Sequence, residues 1–381
     1  MTTVVKAQSS ADFLSLVPRM LGFVPRESIV LVPFRRGRSR GALRLDLPRD
    51  DAPIDEIAAT MLGLVCRIPE ADGCAIVIYA ESDLPSPTLI ERIEQRADAC
   101  GVRVVVTLWV HGDRWGSYAQ PGAVRAVAST DDLPGVPALA AGDQASGADL
   151  PPASAELRTT VAQAIEALRE AIDLLRAKTP SIAGAERIDP RALAAACFLQ
   201  DVPSFFDRLL SAEPDTLDPF EIATAAWALG RPSLRDIALI CWLDGLDAGD
   251  VAAEAQLAWE GGDDYPAEIA MRMWGEGPQP APDRLARALA LVRTIASLAP
   301  DESRPGPMAV CGWLSWALGS STHAGIYATK AIEIEPEHGL SEIVLSFVQA
   351  GHLPDWAFQV GNATEGVETG RTDTDDDPAA A

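Results

Sequence analysis

Five polar residues of this 381-residue chain could together bind a metal ion and a phosphate group. They are Glu81, Asp83, His111, Asp113 and Arg114. Carboxylate oxygens are the ligands that Mg²⁺ prefers, so Glu81, Asp83 and Asp113 could hold the ion. Arg114 could then clamp a phosphate, and His111 could act as a general base.

The elements that must position these residues are two apolar runs, residues 74–79 and 102–110, on either side of a charged helical segment, 87–99. Strand, helix and strand with unbroken apolar strands are typical of parallel pairing covered on both faces. A right-handed crossover would place both carboxyl ends at one edge, where open α/β sheets bind ligands. Strand ends also lead into polar loops when no ligand is bound, and both interpretations remain open.

The sequence carries none of the common catalytic or nucleotide-binding motifs. It lacks a G-x-x-x-x-G-K-[ST] loop, a G-x-G-x-x-G turn after a strand, a G-x-S-x-G elbow and an H-E-x-x-H helix. No cysteine and histidine have zinc-site spacing, and we interpret His323, His338 and His352 as surface residues. We therefore expect no cofactor, with Mg²⁺ needed only if the strand-end residues form a site.

An arginine-rich hairpin is predicted between two short apolar strands, residues 29–32 and 42–47. Its tip carries Arg35, Arg36, Arg38 and Arg40. The tip could bind an anion, or it could be a solvated turn that discourages pairing of the sheet edge.

The amino-acid composition restricts the cellular compartment and the kinds of partner that we expect for this protein. A net charge of −24 and a pI near 4.5 argue against nucleic acid and anionic membranes as partners. Six cysteines without a C-x-x-C pair indicate reduced thiols in a cytoplasmic protein. No apolar run approaches 18 residues, so we expect no membrane span. The scarcity of lysine beside arginine indicates a GC-rich bacterial genome.

Four segments follow from changes in composition along the chain. Residues 1–129 are predicted to form an α/β domain with a mixed sheet and flanking helices. Residues 130–155 are rich in Pro, Gly, Ala, Asp and Ser and are predicted to be a linker or a long surface excursion. Residues 156–358 are predicted to be an all-α domain. Residues 359–381 are predicted to be a disordered acidic tail.

The all-α domain shows signs of helical repeats. The tetrapeptide Trp-Ala-Leu-Gly ends an alanine-rich helix twice, at residues 227–230 and 316–319. Gly312, Ala324 and Ala331, followed by Pro336, resemble the small residues and the helix-ending proline of a tetratricopeptide repeat. The fold class is therefore an α/β domain followed by a tetratricopeptide-like helical domain.

Seven of the nine tryptophans lie in this helical half. They are Trp227, Trp242, Trp259, Trp274, Trp313, Trp316 and Trp356. Their helical spacing favours a role as core anchors, and an aromatic-lined groove is the alternative.

The N-terminal residues resemble an actinobacterial family known as domain of unknown function 4192. The resemblance rests on residues 9–12, on 17–32 (VPRMLGFVPRESIVLV), and on the later Trp109, Trp115 and Tyr118 with the residues between them. It extends to about residue 358. Relatives usually carry cysteine and proline after the Trp-Tyr pair, whereas residues 119–122 of this chain are AQPG. The resemblance implies architecture and a bacterial cytosolic origin, and it brings no activity.

We favour a non-enzymatic interaction or regulatory module that binds protein partners through its helical domain. The alternative is a metal-assisted phosphate-binding protein or enzyme with its site at the strand ends. The sequence leaves the oligomeric state open.

Overall fold

The computed structural model describes residues 6–7, 9–48, 52–81, 87–127, 142–177, 188–359 and 368–369. The chain divides into two compact units. The first comprises Met1–Ser146 and Phe358–Ala381, and the second comprises Gly147–Ala357.

The first unit is built on a mixed sheet. Its strands are β1 (Lys6–Ala7), β2 (Ser28–Arg35), β3 (Arg38–Ser39), β4 (Leu43–Asp46), β5 (Gly73–Tyr79), β6 (Arg103–His111), β7 (Arg114–Ser117), β8 (Gln120–Ala126) and β9 (Glu368–Thr369). Their order is β1-β9-β3-β2-β5-β6-β7-β8, with β4 also paired to β2. Residues 368–369 belong to the predicted acidic tail, and the remainder of that tail from residue 360 lies outside the described residues.

Three helices cover the two faces of this sheet. They are α1 (Ser10–Leu21), α2 (Ile54–Cys66) and α3 (Pro87–Ala99). Helix α1 packs with Val30 and Val77 on one face, while α2 and α3 pack with Ile29 and Ile76 on the other. Every residue of β5 is buried because both faces are covered.

The predicted pairings of the central strands are confirmed. Strands β5 and β6 are parallel neighbours with α3 between them in the chain. Strands β2 and β4 pair antiparallel and enclose the arginine-rich tip, with β3 pairing to the end of β2.

The second unit consists of helices in the part of the chain that is described. They are α4 (Ala155–Arg176), α5 (Pro190–Ala196), α6 (Val202–Leu210), α7 (Pro219–Leu229), α8 (Pro232–Asp244), α9 (Leu246–Glu260), α10 (Ala267–Met273), α11 (Pro282–Leu298), α12 (Pro305–Ala317), α13 (Ser321–Ile334) and α14 (Gly339–Ala350). Five of them begin with proline, whose missing N–H costs nothing in the first turn of a helix. Both Trp-Ala-Leu-Gly segments end helices, α7 and α12, as predicted.

The small residues predicted to bring two helices together do so between α12 and α13. A Cβ atom on Gly312 would lie 3.2 Å from the carbonyl oxygen of Ala324 and 3.5 Å from the backbone nitrogen of Ala328. Helix α13 buries Tyr327 and Ala331 on its inner side. The fold class, an α/β domain followed by an all-α domain, is confirmed. Within the described residues, no helix combines the length and apolar character that crossing a bilayer requires.

Candidate functional site

The strand-end residues predicted from the sequence follow neighbouring strands. Tyr79 pairs with Val110 in the parallel ladder, and the N–H of Ala80 donates to the carbonyl of Val110 at 3.0 Å. Glu81 and His111 therefore leave the sheet at the same edge, as the crossover argument predicts. Asp83 lies outside the described residues.

His111, Asp113 and Arg114 lie on a tight hairpin between β6 and β7. His111 pairs with Arg114 across this hairpin. Gly112 at its tip has φ +57°, a conformation that glycine adopts without steric cost. The carbonyl of Asp113 accepts the N–H of Val127 at 2.8 Å, which ties the hairpin to the end of β8.

Glu81 is engaged by Arg26, which precedes β2. Its two carboxylate oxygens accept from Nε and Nη2 of Arg26 at 2.5 and 2.7 Å. The hydrogen bond from Arg26 lowers the pKa of the Glu81 carboxyl below its ordinary value. Both side chains are half exposed, so the pair contributes little to stability.

Arg26 also receives contacts from a segment predicted to be a linker. Gln144 accepts the backbone N–H of Arg26 at 3.1 Å and donates to its carbonyl at 3.0 Å. Asp143 lies 3.7 Å from the guanidinium. Sequence reasoning missed Arg26 and Asp143 as members of this edge, because their contact spans more than a hundred residues of chain.

The metal-binding part of the strand-end hypothesis stays a prediction. In the ranges that the structure describes, no group of three or more His, Cys, Asp or Glu side chains could hold a metal ion. A site with Glu81 as ligand would have to share Glu81 with Arg26.

The arginine-rich tip is tied to the protein at two of its residues. Arg35 forms an ion pair with Glu70, and the backbone N–H of Arg36 donates to the carboxylate of Asp72 at 2.8 Å. These contacts fix the hairpin next to the loop that precedes β5.

A groove of about 740 Å³ runs beside the first half of β6. Strand β7 pairs with β6 only from Leu108 onward, so no described strand covers the outer edge of the preceding β6 residues. Glu91, Glu94 and Asp98 of α3 line the groove, and Thr107 donates its hydroxyl to Glu94 at 2.9 Å. This groove is therefore acidic and open along a strand edge.

The tryptophans of the helical unit fall into two classes. Trp313 and Trp316 are at most 1% exposed, whereas Trp259 and Trp274 are 54% and 50% exposed. Buried indole N–H groups have acceptors: Trp313 donates to the carbonyl of Met273 at 3.1 Å, and Trp316 to that of His352 at 2.7 Å. No described residue accepts the indole N–H of Trp259 or Trp274. The prediction that these residues are core anchors holds for most of them and is wrong for these two.

The two exposed tryptophans line one cleft of about 520 Å³ in the helical unit. Its wall consists of Pro232, Ser233, Arg235, Asp236, Gln256, Trp259, Glu260, Tyr265, Ala270, Met273, Trp274, Trp313, Leu340, Ile343 and Phe347. Trp274 meets Phe347 edge to face with ring centroids 5.2 Å apart. Ile343 is 40% exposed and adds an aliphatic side chain to the rim. We call this set the aromatic cleft.

Acidic groups accompany the aromatic surface. Arg235 binds Asp236 at 2.8 Å, and burial raises the pKa of the Asp236 carboxyl above its ordinary value. Burial and the charge of Asp236 also raise the pKa of Tyr265. The stretch from Leu246 to Glu268 contains no basic residue and these acids: Asp247, Asp250, Glu254, Glu260, Asp263, Asp264 and Glu268.

A second cleft, of about 590 Å³, is lined by residues of α9 and α10, two helices that also contribute to the aromatic cleft. Val251 and Met271 line it and are 56% and 39% exposed. Arg272 and Asp244, an ion-paired couple, form part of its wall. Sequence reasoning missed the exposed apolar surface of α9. The signal of it was the presence of three large apolar residues, Val251, Leu257 and Trp259, in one acidic helix.

His338 departs from the prediction that it lies on the surface. It is 8% exposed and precedes α14. Its Nδ1 accepts the N–H of Ser341 at 3.4 Å and lies 3.0 Å from the Ser341 hydroxyl. Burial lowers the pKa of the imidazole below its ordinary value. The residue caps the helix, a role that Asn, Asp, Ser and Thr fill more often.

One family model matches the chain, over residues 11–273, and its description is "Domain of unknown function (DUF4192)". Since the match covers more than half of the chain, the protein belongs to this family. The match includes the strand-end edge and ends at Met273, so it stops short of the residue 358 to which the resemblance was expected to extend. Neither the curated proteins nor the solved structures contain a match to the chain.

Proposed function

We propose that this DUF4192 member is a non-enzymatic interaction module whose aromatic cleft binds a basic segment of a partner protein. The observation that carries the proposal is the exposure of Trp259 and Trp274 at one cleft. Solvent-exposed apolar side chains that cluster around a concavity are typical of protein-binding surfaces. Tryptophan is also one of the residues enriched among those that dominate binding energy.

The packing of α9 supports this role. Only Gly249, Ala252 and Ala255 of its 15 residues are buried, and Val251, Leu257 and Trp259 are more than half exposed. Removing each apolar Å² from water contributes about 25 cal/mol. A partner that covers these side chains would gain from an apolar surface that the protein itself leaves in water.

The charge around the cleft supports a basic partner. Seven acids and no base lie between Leu246 and Glu268. Of these acids, Glu260 lines the cleft, where Arg235 is ion-paired with Asp236. Lysine and arginine are attracted to the faces of tryptophan rings and to the acidic field. A segment that combines basic and apolar side chains matches both properties.

Binding of a defined peptide tests this function. The probe is a labelled 20-residue amphipathic peptide of Leu, Trp and Lys, compared with a peptide in which Glu replaces Lys, in fluorescence anisotropy titrations. We expect the basic peptide alone to bind, and its affinity to fall as added salt shortens the screening length. The Trp259→Ala variant should bind about 30-fold more weakly, the equivalent of about 2 kcal/mol for a dominant interface residue.

The matched control is Leu175→Ala. Leu175 is 60% exposed on α4 and does not line the aromatic cleft. It tests whether any exposed apolar residue has the same effect. Equal binding of both peptides, or equal losses in the Trp259 and Leu175 variants, would contradict the proposal.

The strand-end residues support a second proposal, a metal-assisted phosphate-binding site. The observation in its favour is that Glu81 follows β5 and that His111 ends the adjacent parallel strand β6. A thermal-shift screen with Mg²⁺ and nucleotides or sugar phosphates tests it, since ligand at about 100 times its dissociation constant adds about 2.7 kcal/mol. The shift should disappear in Asp113→Ala. A shift that persists in this variant would exclude Asp113 from any such site.

A bacterial, cytoplasmic setting completes the proposal. It rests on six cysteines without a C-x-x-C pair and on the predominance of arginine over lysine. Expression of a fluorescent fusion in an actinobacterial host should give diffuse cytoplasmic signal. Signal confined to the envelope would contradict it.

A further inference from the structure

Two exposed cysteines of the α/β unit lie at the ends of neighbouring helices. Cys66 is the last residue of α2, and Cys100 directly follows α3. The two helices pack together over the same core, which includes Val65 and Ala97 close to the two cysteines.

The topology of the sheet explains why these two helix ends meet. Strands β4 and β5 are both antiparallel to β2, so they run in the same direction, and β6 is parallel to β5. Helices α2 and α3 each return the chain to the start of the next strand. Those starts, Gly73 and Arg103, pair with each other. Both helices therefore end at one edge of the sheet, with Cys66 and Cys100 a few residues before these strand starts.

The two thiols influence each other. Burial, and after it the neighbouring Cys100 thiol, raises the pKa of the Cys66 thiol above its ordinary value. Both residues nevertheless remain exposed. A small oxidant can therefore reach either sulfur.

We propose that Cys66 and Cys100 form a reversible intramolecular disulfide that links the ends of α2 and α3 when the protein meets a peroxide. One thiolate attacks a peroxide oxygen, the O–O bond breaks, and a sulfenic acid forms with release of water. The second sulfur then attacks the first, the S–O bond breaks, and a second water leaves as the S–S bond forms. Two thiols are oxidised by two electrons, and hydrogen peroxide is reduced to two waters.

The other cysteines differ in the features that carry this proposal. Cys74, Cys241 and Cys311 are buried, and Cys197 is exposed in the helical unit. Burial keeps an oxidant in solution away from the sulfurs of the first three. Cys197 therefore serves as the exposed control.

Peptide mapping after oxidation tests the proposal. The full chain is reduced, desalted, treated with hydrogen peroxide, digested without reductant and analysed by mass spectrometry. We expect a cross-linked peptide pair containing Cys66 and Cys100, an intact mass lower by two hydrogen atoms, and a monomer on a non-reducing gel. Dithiothreitol should restore the starting mass.

Three variants complete the test. Cys66→Ser and Cys100→Ser should each abolish the cross-link, and Cys197→Ser should leave its yield unchanged. Alkylation of the native protein with iodoacetamide verifies that both thiols are accessible. Accessible thiols that give sulfinic acid, or disulfides between molecules, in place of the Cys66–Cys100 link would overturn the proposal.

Discussion

Helices α12 and α9 use their apolar residues in opposite ways, although both belong to the helical unit. All 13 residues of α12 are buried, whereas only three of the 15 residues of α9 are. Trp316 in α12 is fully buried and donates its indole N–H to a backbone carbonyl. Trp259 in α9 is more than half exposed. The comparison indicates that the first helix stabilises the fold and that the second presents a surface.

Replacement of a buried tryptophan should have the largest effect on stability. Trp316→Ala removes a fully buried ring. The centroid of this ring lies 5.8 Å from that of Trp313 and 4.6 Å from that of Phe347. Such truncations typically cost about 3–5 kcal/mol because they leave a cavity. Urea unfolding followed by circular dichroism would measure the loss. A cost below about 1 kcal/mol would show that α12 contributes less to the core than its burial indicates.

Enlarging Gly312, one of the two glycines of α12, should have the next largest effect. Gly312→Val places a branched side chain where even a Cβ lies 3.2 Å from the carbonyl oxygen of Ala324. Overpacking of this kind costs about 1–3 kcal/mol. The matched change on α9, Ala253→Val, affects a partly buried position and should cost less. Equal losses of unfolding free energy in the two variants would contradict the predicted contrast.

The titration of His338, which caps α14, should have a smaller effect on the free energy of unfolding. His338 has a lowered pKa in the folded protein because of burial and of Arg235, although Glu335 and Glu342 oppose the shift. Its unfolded form keeps the ordinary value of 6.5. As the pH falls below about 6.5, the unfolded state binds the proton first, so the free energy of unfolding decreases. Well above pH 6.5 the residue is neutral in both states and has no such effect.

The variant His338→Asn tests this pH dependence. Asparagine can still cap the helix, but it does not titrate. The difference in unfolding midpoint between pH 7.5 and 5.5 should be smaller in the variant than in the wild-type protein. An identical difference would assign the acid sensitivity to other groups.

The elements of the fold were predictable where their signals were local. The unbroken apolar runs at 74–79 and 102–110 predicted two parallel strands correctly. Burial on both faces, which needs no alternation, holds for β5 throughout, but in β6 only Thr107 and Leu108 are buried. The Trp-Ala-Leu-Gly segments predicted helix ends correctly. Gly312 and Ala324 predicted a close helix pair, since only small side chains allow backbones to approach so closely.

The candidate sites were less predictable because they depend on distant packing. Trp259 and Trp313 both lie in apolar helical stretches, and only the placement of neighbouring helices decides which of them is covered. The contact of Arg26 with Asp143 likewise joins segments far apart in the chain. His338 looked like a surface residue because its capping role depends on the exact start of α14.

The most direct test of the central claim is a single comparison on the double variant Trp259→Ala/Trp274→Ala. Its unfolding free energy and its affinity for the basic amphipathic peptide are measured on the same preparation. We expect a loss of stability of about 1 kcal/mol or less, as for exposed positions, together with a loss of peptide affinity of at least about 30-fold. A variant that unfolds readily, or that binds the peptide as well as the wild-type protein does, would show that these two tryptophans do not form a binding surface.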